Sequence, residues 1–140
     1  MTLNVTRVDA WAAPLEDKPG SLATKLAALT EAGLNLEFII ARRAPDNPGA
    51  GVVFVTAIHG ARGARAARDA GFLKTESLHA VRIEGPDTPG RGHQLVQVLA
   101  AQGLNLRGFS AAAINGRFVA HLAFDSGRDA TKAARLMRRL

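Results

Sequence analysis

The sequence contains no cysteine and no tyrosine, only one tryptophan, and aromatic residues fill just 5% of its 140 positions. Without cysteine there can be no disulfide framework, thiolate nucleophile or cysteine-ligated metal. The histidines, His59, His79, His93 and His121, never stand three or four apart, so no helical metal pair exists, and no metal site is expected. Ser21, Ser77, Ser110 and Ser126 lack the Gly-x-Ser-x-Gly setting of a serine nucleophile. Gly49-Ala50-Gly51 is too short for a dinucleotide loop, and no phosphate-binding Lys-Ser/Thr signature occurs. No cofactor, catalytic residue or enzymatic activity is therefore expected. No apolar run approaches the roughly 20 residues needed to cross a bilayer. Met1-Thr2-Leu3-Asn4-Val5 lacks the basic start and apolar stretch of a secretory signal, so a cytoplasmic address without a membrane partner is expected.

Acidic residues are scarce in one half only. Residues 1–70 carry 8 Lys/Arg and 7 Asp/Glu (+1), and residues 71–140 carry 10 and 5 (+5), which together give the net +6. Arg128, Lys132, Arg135 and Arg139 account for much of the excess. Their spacing marks one side of a helix, so a solvated face is expected ahead of a nucleic-acid or acidic-partner surface.

What the sequence does have is a repeat. Asp17-Lys18-Pro19-Gly20 followed by Gly33-Leu34-Asn35-Leu36 recurs seventy residues later as Asp87-Thr88-Pro89-Gly90 and Gly103-Leu104-Asn105-Leu106. Half the chain length separates the copies, which indicates a duplication into units near the lower size limit for an independent core. Residues 7–13 alternate as a strand, with Val8, Ala10 and Ala12 opposite Arg7, Asp9 and Trp11. A turn at Pro14–Gly20 follows, and Leu22, Ala23, Leu26 and Leu29 form a helical stripe ending at Gly33. Strands are expected over 34–42 and 52–58, and a helix over 61–70. The second copy repeats the pattern: strand 78–83, helix 90–102, hairpin 104–113 and 118–124 around Asn115-Gly116, and helix 128–140.

This βαββα order with one more strand is the ferredoxin-like split βαβ unit. The first unit finds its fourth strand at Phe72–Glu76, whereas the second reaches Leu140 with none left. Thr2–Thr6 lies seventy residues before Phe72–Glu76, so it is expected to complete the second unit. The expected fold is α+β: two ferredoxin-like βαββαβ units side by side, with antiparallel sheets, helices on one face and pseudo-two-fold symmetry. The units would cover residues 7–76 and 77–140, the latter completed by strand 2–6.

The repeated motif also has chemistry. Pro19 fixes φ near the helix start, and Gly20 allows close backbone approach. The first helical amides lack intrahelical partners and suit a carboxylate. Asp17 can either cap those amides or accept bonds from an α-ammonium group. Asn35 and Asn105 each offer an acceptor and donors. In its Asp-x-Pro-Gly turns, helical spacing and Gly-Leu-Asn-Leu segments, the chain resembles a tandem ACT-domain protein. The resemblance implies amino-acid binding at contacts between units. It points to Asp17, Lys18, Pro19, Gly20, Ser21, Leu22 and Asn35 in the first copy, and to Asp87, Thr88, Pro89, Gly90 and Asn105 in the second. Arg91, Gly92 and His93 depart from the small and apolar residues of the pattern. The expected function is a regulatory, allosteric sensor, a homo-oligomer acting on a separate enzyme. The alternatives are an assembly subunit with degenerate sites and, more remotely, an RNA or acidic-partner binder. His79 and His121 are expected as neighbours across the sheet. Trp11, Ile39, Val119 and Phe109 are expected on the open sheet face, where they would favour self-association.

Overall fold

Apolar residues alternate at Leu3 and Val5 and again at Trp11, Ala13 and Leu15 within one long strand, and the two Pro-Gly turns start helices whose apolar stripes cover the sheets. A computed structural model describes residues 3–140. The elements run β1 (Asn4–Glu16), α1 (Ser21–Glu31), β2 (Phe38–Arg43), β3 (Ala50–Thr56), α2 (Gly60–Asp69), β4 (Leu73–Pro86), α3 (Arg91–Ala101), β5 (Gly108–Ile114), β6 (Arg117–Phe124) and α4 (Gly127–Met137). The first unit is Asp9–Thr75; the second joins Met1–Val8 to Glu76–Leu140. Within the first unit the strand order is β2-β3-β1, with the start of β4 beside β1. Within the second it is β5-β6-β4, with the start of β1 beside β4. The fold is α+β and antiparallel, and the N-terminal strand completes the second unit.

Leu3 and Val5 enter the second core with Val81, Ile83, Leu95, Leu99, Leu122 and Met137. Leu3 lies so close over Gly85 that a Cβ there would sit 2.6 Å from its Cδ2. The Leu3 side chain fills the space that a side chain at Gly85 would take. Each fully buried leucine contributes about 1.5–3 kcal/mol relative to exposure. The strand begins at Asn4; Thr2, the first residue of the expected 2–6 strand, lies outside the described residues.

Several strand limits differ from expectation: β3 covers Ala50–Thr56, β4 extends to Pro86 and β5 begins at Gly108. β1 continues through Pro14 to Glu16, because Pro14 pairs with Val52 at an exposed position where its lack of an N–H is tolerated. β2 starts only at Phe38. Leu34 and Leu36 keep the alternating burial, but they pack on the first core ahead of the sheet pairing. Both first helices end as their glycines suggest. Gly33 (φ 79°) and Gly103 (φ 69°) are left-handed, and the Leu34 and Leu104 amides donate back to the Leu29 and Leu99 carbonyls at 3.1 and 3.0 Å.

Register corrects the facing of several side chains. Trp11 pairs with Val55 and is only 7% exposed, packed with Leu29, Val53 and Phe72 under the helices. It is a core residue and not one of the open face, since Trp11, Ala13 and Leu15 all face inward in this part of β1. Ile39 continues that row from Val55, and Phe109 continues the row Val81–Leu122, so both overhang the helix side at a strand edge. Val119 does lie on the open face, but it is half-buried. His79 pairs with Phe124, while His121 pairs with Arg82 and Ser110. An odd offset along β4 puts these histidines on opposite faces.

Candidate ligand grooves at the two Pro-Gly turns

Both turns are built identically at the backbone. The Asp17 amide donates to the Gly49 carbonyl and the Asp87 amide to the Gly116 carbonyl, each at 2.9 Å. This ties each turn to the tip of its unit's hairpin. Gly20 (φ 89°) and Gly90 (φ 80°) are left-handed N-cap residues, and neither helix receives a side-chain cap. The Ser21 and Arg91 amides bond back to the Lys18 and Thr88 carbonyls, and those of Thr24 and Gln94 to the Gly20 and Gly90 carbonyls. The two amides between, Leu22 and Ala23 or Gly92 and His93, meet no acceptor among the described residues. An uncapped helix start of this kind suits a carboxylate by geometry and by the helix dipole.

Side chains then separate the copies. Asp17, the candidate cap, instead accepts from Arg43 Nε at 2.8 Å, across to β2. Glu16 and Lys18 pair at 2.8 Å; their hydrogen bond, then their mutual charge, lowers the Glu16 pKa and raises that of Lys18. The residue equivalent to Arg43 in the second unit is Ala113, and the Asp87 carboxylate makes no ion pair or hydrogen bond among the described residues.

Among the described residues, grooves meet both turns, each within a single unit. One of about 230 Å³ runs between the first turn and β2, where Asp17, Lys18, Ser21 and Leu22 face Arg42, Arg43 and Gly51. Its counterpart in the second unit, about 330 Å³, joins Asp87, Thr88, Pro89, Gly90, Arg91 and Gly92 to Ala111–Ala113 and Phe118. Phe118 occupies the ladder position held by Gly51 in the first unit. On the other side of the first turn lies a groove of about 750 Å³, lined by Glu16, Lys18, Pro19, Gly20, Ser21, Thr24, Lys25, Ala28 and Ala70 among others. Lys25 Nζ donates to the Ala70 carbonyl at 2.7 Å, a cation on the C-terminal end of α2. The second unit has Leu95, Val98 and Met137 where the first has Lys25, Ala28 and Ala70, and these larger apolar side chains pack into its core.

The structure thus gathers Asp17, Lys18, Pro19, Gly20, Ser21 and Leu22 around one turn, and Asp87, Thr88, Pro89 and Gly90 around the other. Asn35 and Asn105 are exposed and line none of these grooves. Each follows the far end of an 11-residue helix, which places it roughly 16 Å along the axis from the turn. Arg43, Lys25 and Ala70 were not legible as site residues, because they reach the turn through strand register and helix packing. The one available signal was that Arg43 departs from its repeat position, Ala113.

Duplicated βαββαβ units, a shared strand exchange and paired Pro-Gly helix starts decide the architecture. The fold is a tandem ACT fold. A protein from Bacteroides thetaiotaomicron, BT0572, superposes with a TM-score of 0.76 at 18% identity over 94% of this chain and 88% of that one. The ligand-free regulatory subunit of aspartate kinase from Thermus thermophilus gives 0.66 at 18% identity, over 99% and 96%. That from Thermus flavus gives 0.63 at 19%, again over 99% and 96%. At these identities the likeness is one of tandem ACT architecture. No protein-family model and no curated protein matches the sequence.

Proposed function

We propose that this tandem ACT chain is a non-catalytic regulatory protein that binds an amino acid at its Pro-Gly grooves. It would work as a homo-oligomer, with a separate enzyme polypeptide as its target. The observation that carries the reading is the uncapped start of α1 beside a diverted Asp17. Two free amides match the α-carboxylate of an amino acid, and the neighbouring carboxylates of Glu16 and Asp17 match its α-ammonium. A side chain would extend along the larger groove past Thr24 and Ala28. The fold shared with regulatory subunits of aspartate kinase supports a regulatory role. Binding at the turn would then favour one packing of the protein over another.

A second reading, an assembly protein with degenerate sites, draws on the second unit. There Asp87 has lost the arginine opposite it, and the larger groove is filled by apolar side chains. Thermal-shift measurements against the twenty amino acids separate the two. A ligand at 100 times its Kd stabilises by about 2.7 kcal/mol, so at least one amino acid should raise the melting temperature. Asp17→Ala should abolish that rise, and Asp87→Ala should leave it. If no amino acid shifts the wild-type transition, the ligand reading is wrong and the assembly reading takes its place.

A further inference from the structure

Only three positions of the seventy-residue repeat carry a cation in both copies: Arg62 and Lys132, Arg65 and Arg135, Arg68 and Arg138. All fall on the last helix of their unit, α2 in the first and α4 with its cap residue Arg138 in the second. All six residues are exposed. Their spacing of three sets neighbouring Cβ atoms about 5–6 Å apart, in a row roughly 9 Å long on each helix. Five exposed cations on strands and turns are neutralised locally: Lys18, Arg43, Lys74, Arg107 and Arg117 each meet a carboxylate at 2.8–3.1 Å. Among the described residues, no cation of either row has an ion pair. Lys132 and Arg138 donate to the neutral carbonyls of Gln102 and Val5, at 3.5 and 3.3 Å, which leaves their charge uncompensated. The α4 row is extended by Arg128 and by Arg7, whose guanidinium donates to Thr131 Oγ1 at 2.7 Å.

A merely solvated face has no reason to keep its cations in place, yet these recur where Lys18, Lys25 and Arg43 do not. We propose that the α2 and α4 rows bind the phosphate backbone of double-stranded DNA. A DNA duplex carries one negative charge per about 1.7 Å of axis, which complements a row of unpaired cations. Five of the six are arginine, whose forked donors hold phosphate oxygens in pairs. What lies between the cations decides against other occupants. The exposed uncharged residues of the two helices are Gly60, Ala61 and Thr131. No aromatic ring is there to stack the bases of a single strand, and no large apolar anchor of a protein interface. Backbone recognition without sequence readout is what such a face can do. This inference goes beyond the ligand reading and is independent of it.

Fluorescence anisotropy of the full chain with a labelled DNA duplex of about 20 base pairs tests the proposal. One row, with three phosphate contacts, gives a slope of about −2.7 in log K against log salt. Binding should therefore weaken by at least about 40-fold from 50 to 200 mM salt. Each row variant, Arg62→Gln with Arg65→Gln and Arg68→Gln, or Lys132→Gln with Arg135→Gln and Arg138→Gln, should weaken binding, and all six changes together should abolish it. Lys74→Gln with Arg107→Gln and Arg117→Gln removes the same charge as one row from ion-paired sites, and should leave the slope unchanged. Every variant is checked for the wild-type circular dichroism spectrum. Should a row variant fail to fold, Arg65→Gln with Arg135→Gln replaces it, and the slope should still flatten. A wild-type chain that leaves the duplex free at 50 mM salt overturns the proposal. So does a control variant that weakens binding as much as a row variant, since net charge alone would then be responsible. Tighter binding to the single strand, or stronger competition by polyglutamate than by unlabelled duplex, overturns it as well.

Discussion

The two Pro-Gly turns share their backbone and differ in almost every side chain around it. Left-handed glycines, uncapped amides and the tie to the hairpin tip recur in both units. In the first, Asp17 is held by Arg43 and a large groove lies open behind the helix between Lys25, Ala28 and Ala70. In the second, Leu95, Val98 and Met137 close that space, and the carboxylate of Asp87 stands alone. Backbone geometry is needed to fold either unit, so it persists in both. The first unit leaves a groove in the space that the second fills with core side chains. The open faces diverge too: Ala12, Val52, Phe54, Ile40 and Arg42 in the first unit, Arg82, Glu84, Arg117 and His121 in the second.

The largest expected effect tests that exchange. Leu95→Ala removes a fully buried side chain and should cost about 2–5 kcal/mol in urea unfolding. Lys25→Ala, at the matching helix position, removes one charge-assisted bond at a helix end and should cost about 0.3–1 kcal/mol. Equal losses would mean that the Lys25 groove is as tightly packed as the Leu95 core. Trp11 in the first core is a fluorescence reporter for the Lys25 variant.

Next comes the feature the units share. Gly20→Ala and Gly90→Ala each meet nothing within 4 Å, so the cost is the left-handed backbone alone, about 1–2 kcal/mol. Matched losses in the two variants would confirm that the turns are equivalent scaffolds. A loss confined to one would show that the units no longer depend on the turn alike.

This division explains what could be read in advance. The repeat, the ferredoxin-like order, the helix ends at Gly33 and Gly103 and the Asn115-Gly116 turn follow from local rules. Both turn residues have positive φ, 50° and 74°, as a two-residue hairpin demands. The start of β1 completing the second unit was also legible, from the missing strand at Leu140. The facing of Trp11 was not, because alanines fill both sides of β1 and its alternation carries no inward label. Nor was the Asp17–Arg43 pair, which depends on β2 and β1 meeting through β3 in one register. Asn35 and Asn105, which the resemblance names for contacts between units, follow the far ends of α1 and α3, away from the turns of their own units.

The smallest effect lies on the open faces. Glu84 accepts from Arg82 Nη1 at 2.7 Å and from Arg117 Nη2 at 3.0 Å. The Arg82 hydrogen bond first, then the Arg117 hydrogen bond, holds its carboxyl below the ordinary value of 4.5. A depressed folded pKa means that the unfolded chain takes up the proton first as acid is added. The stabilisation is therefore complete above the ordinary value and disappears as pH falls from there through the folded pKa. The group is partly exposed, so the contribution is of the order of an exposed pair, about 0.2–1 kcal/mol. Glu84→Gln should remove that much at neutral pH and nothing in strong acid, so the difference between the two stability curves should shrink as pH falls below 4.5. The first unit sets Pro14 and Val52 near the equivalent strand positions and, among the described residues, has no such network. A difference that persisted unchanged into strong acid would show that Glu84 acts by packing rather than by charge, and the contrast between an ion-paired and a mainly apolar open face would then lose its energetic meaning.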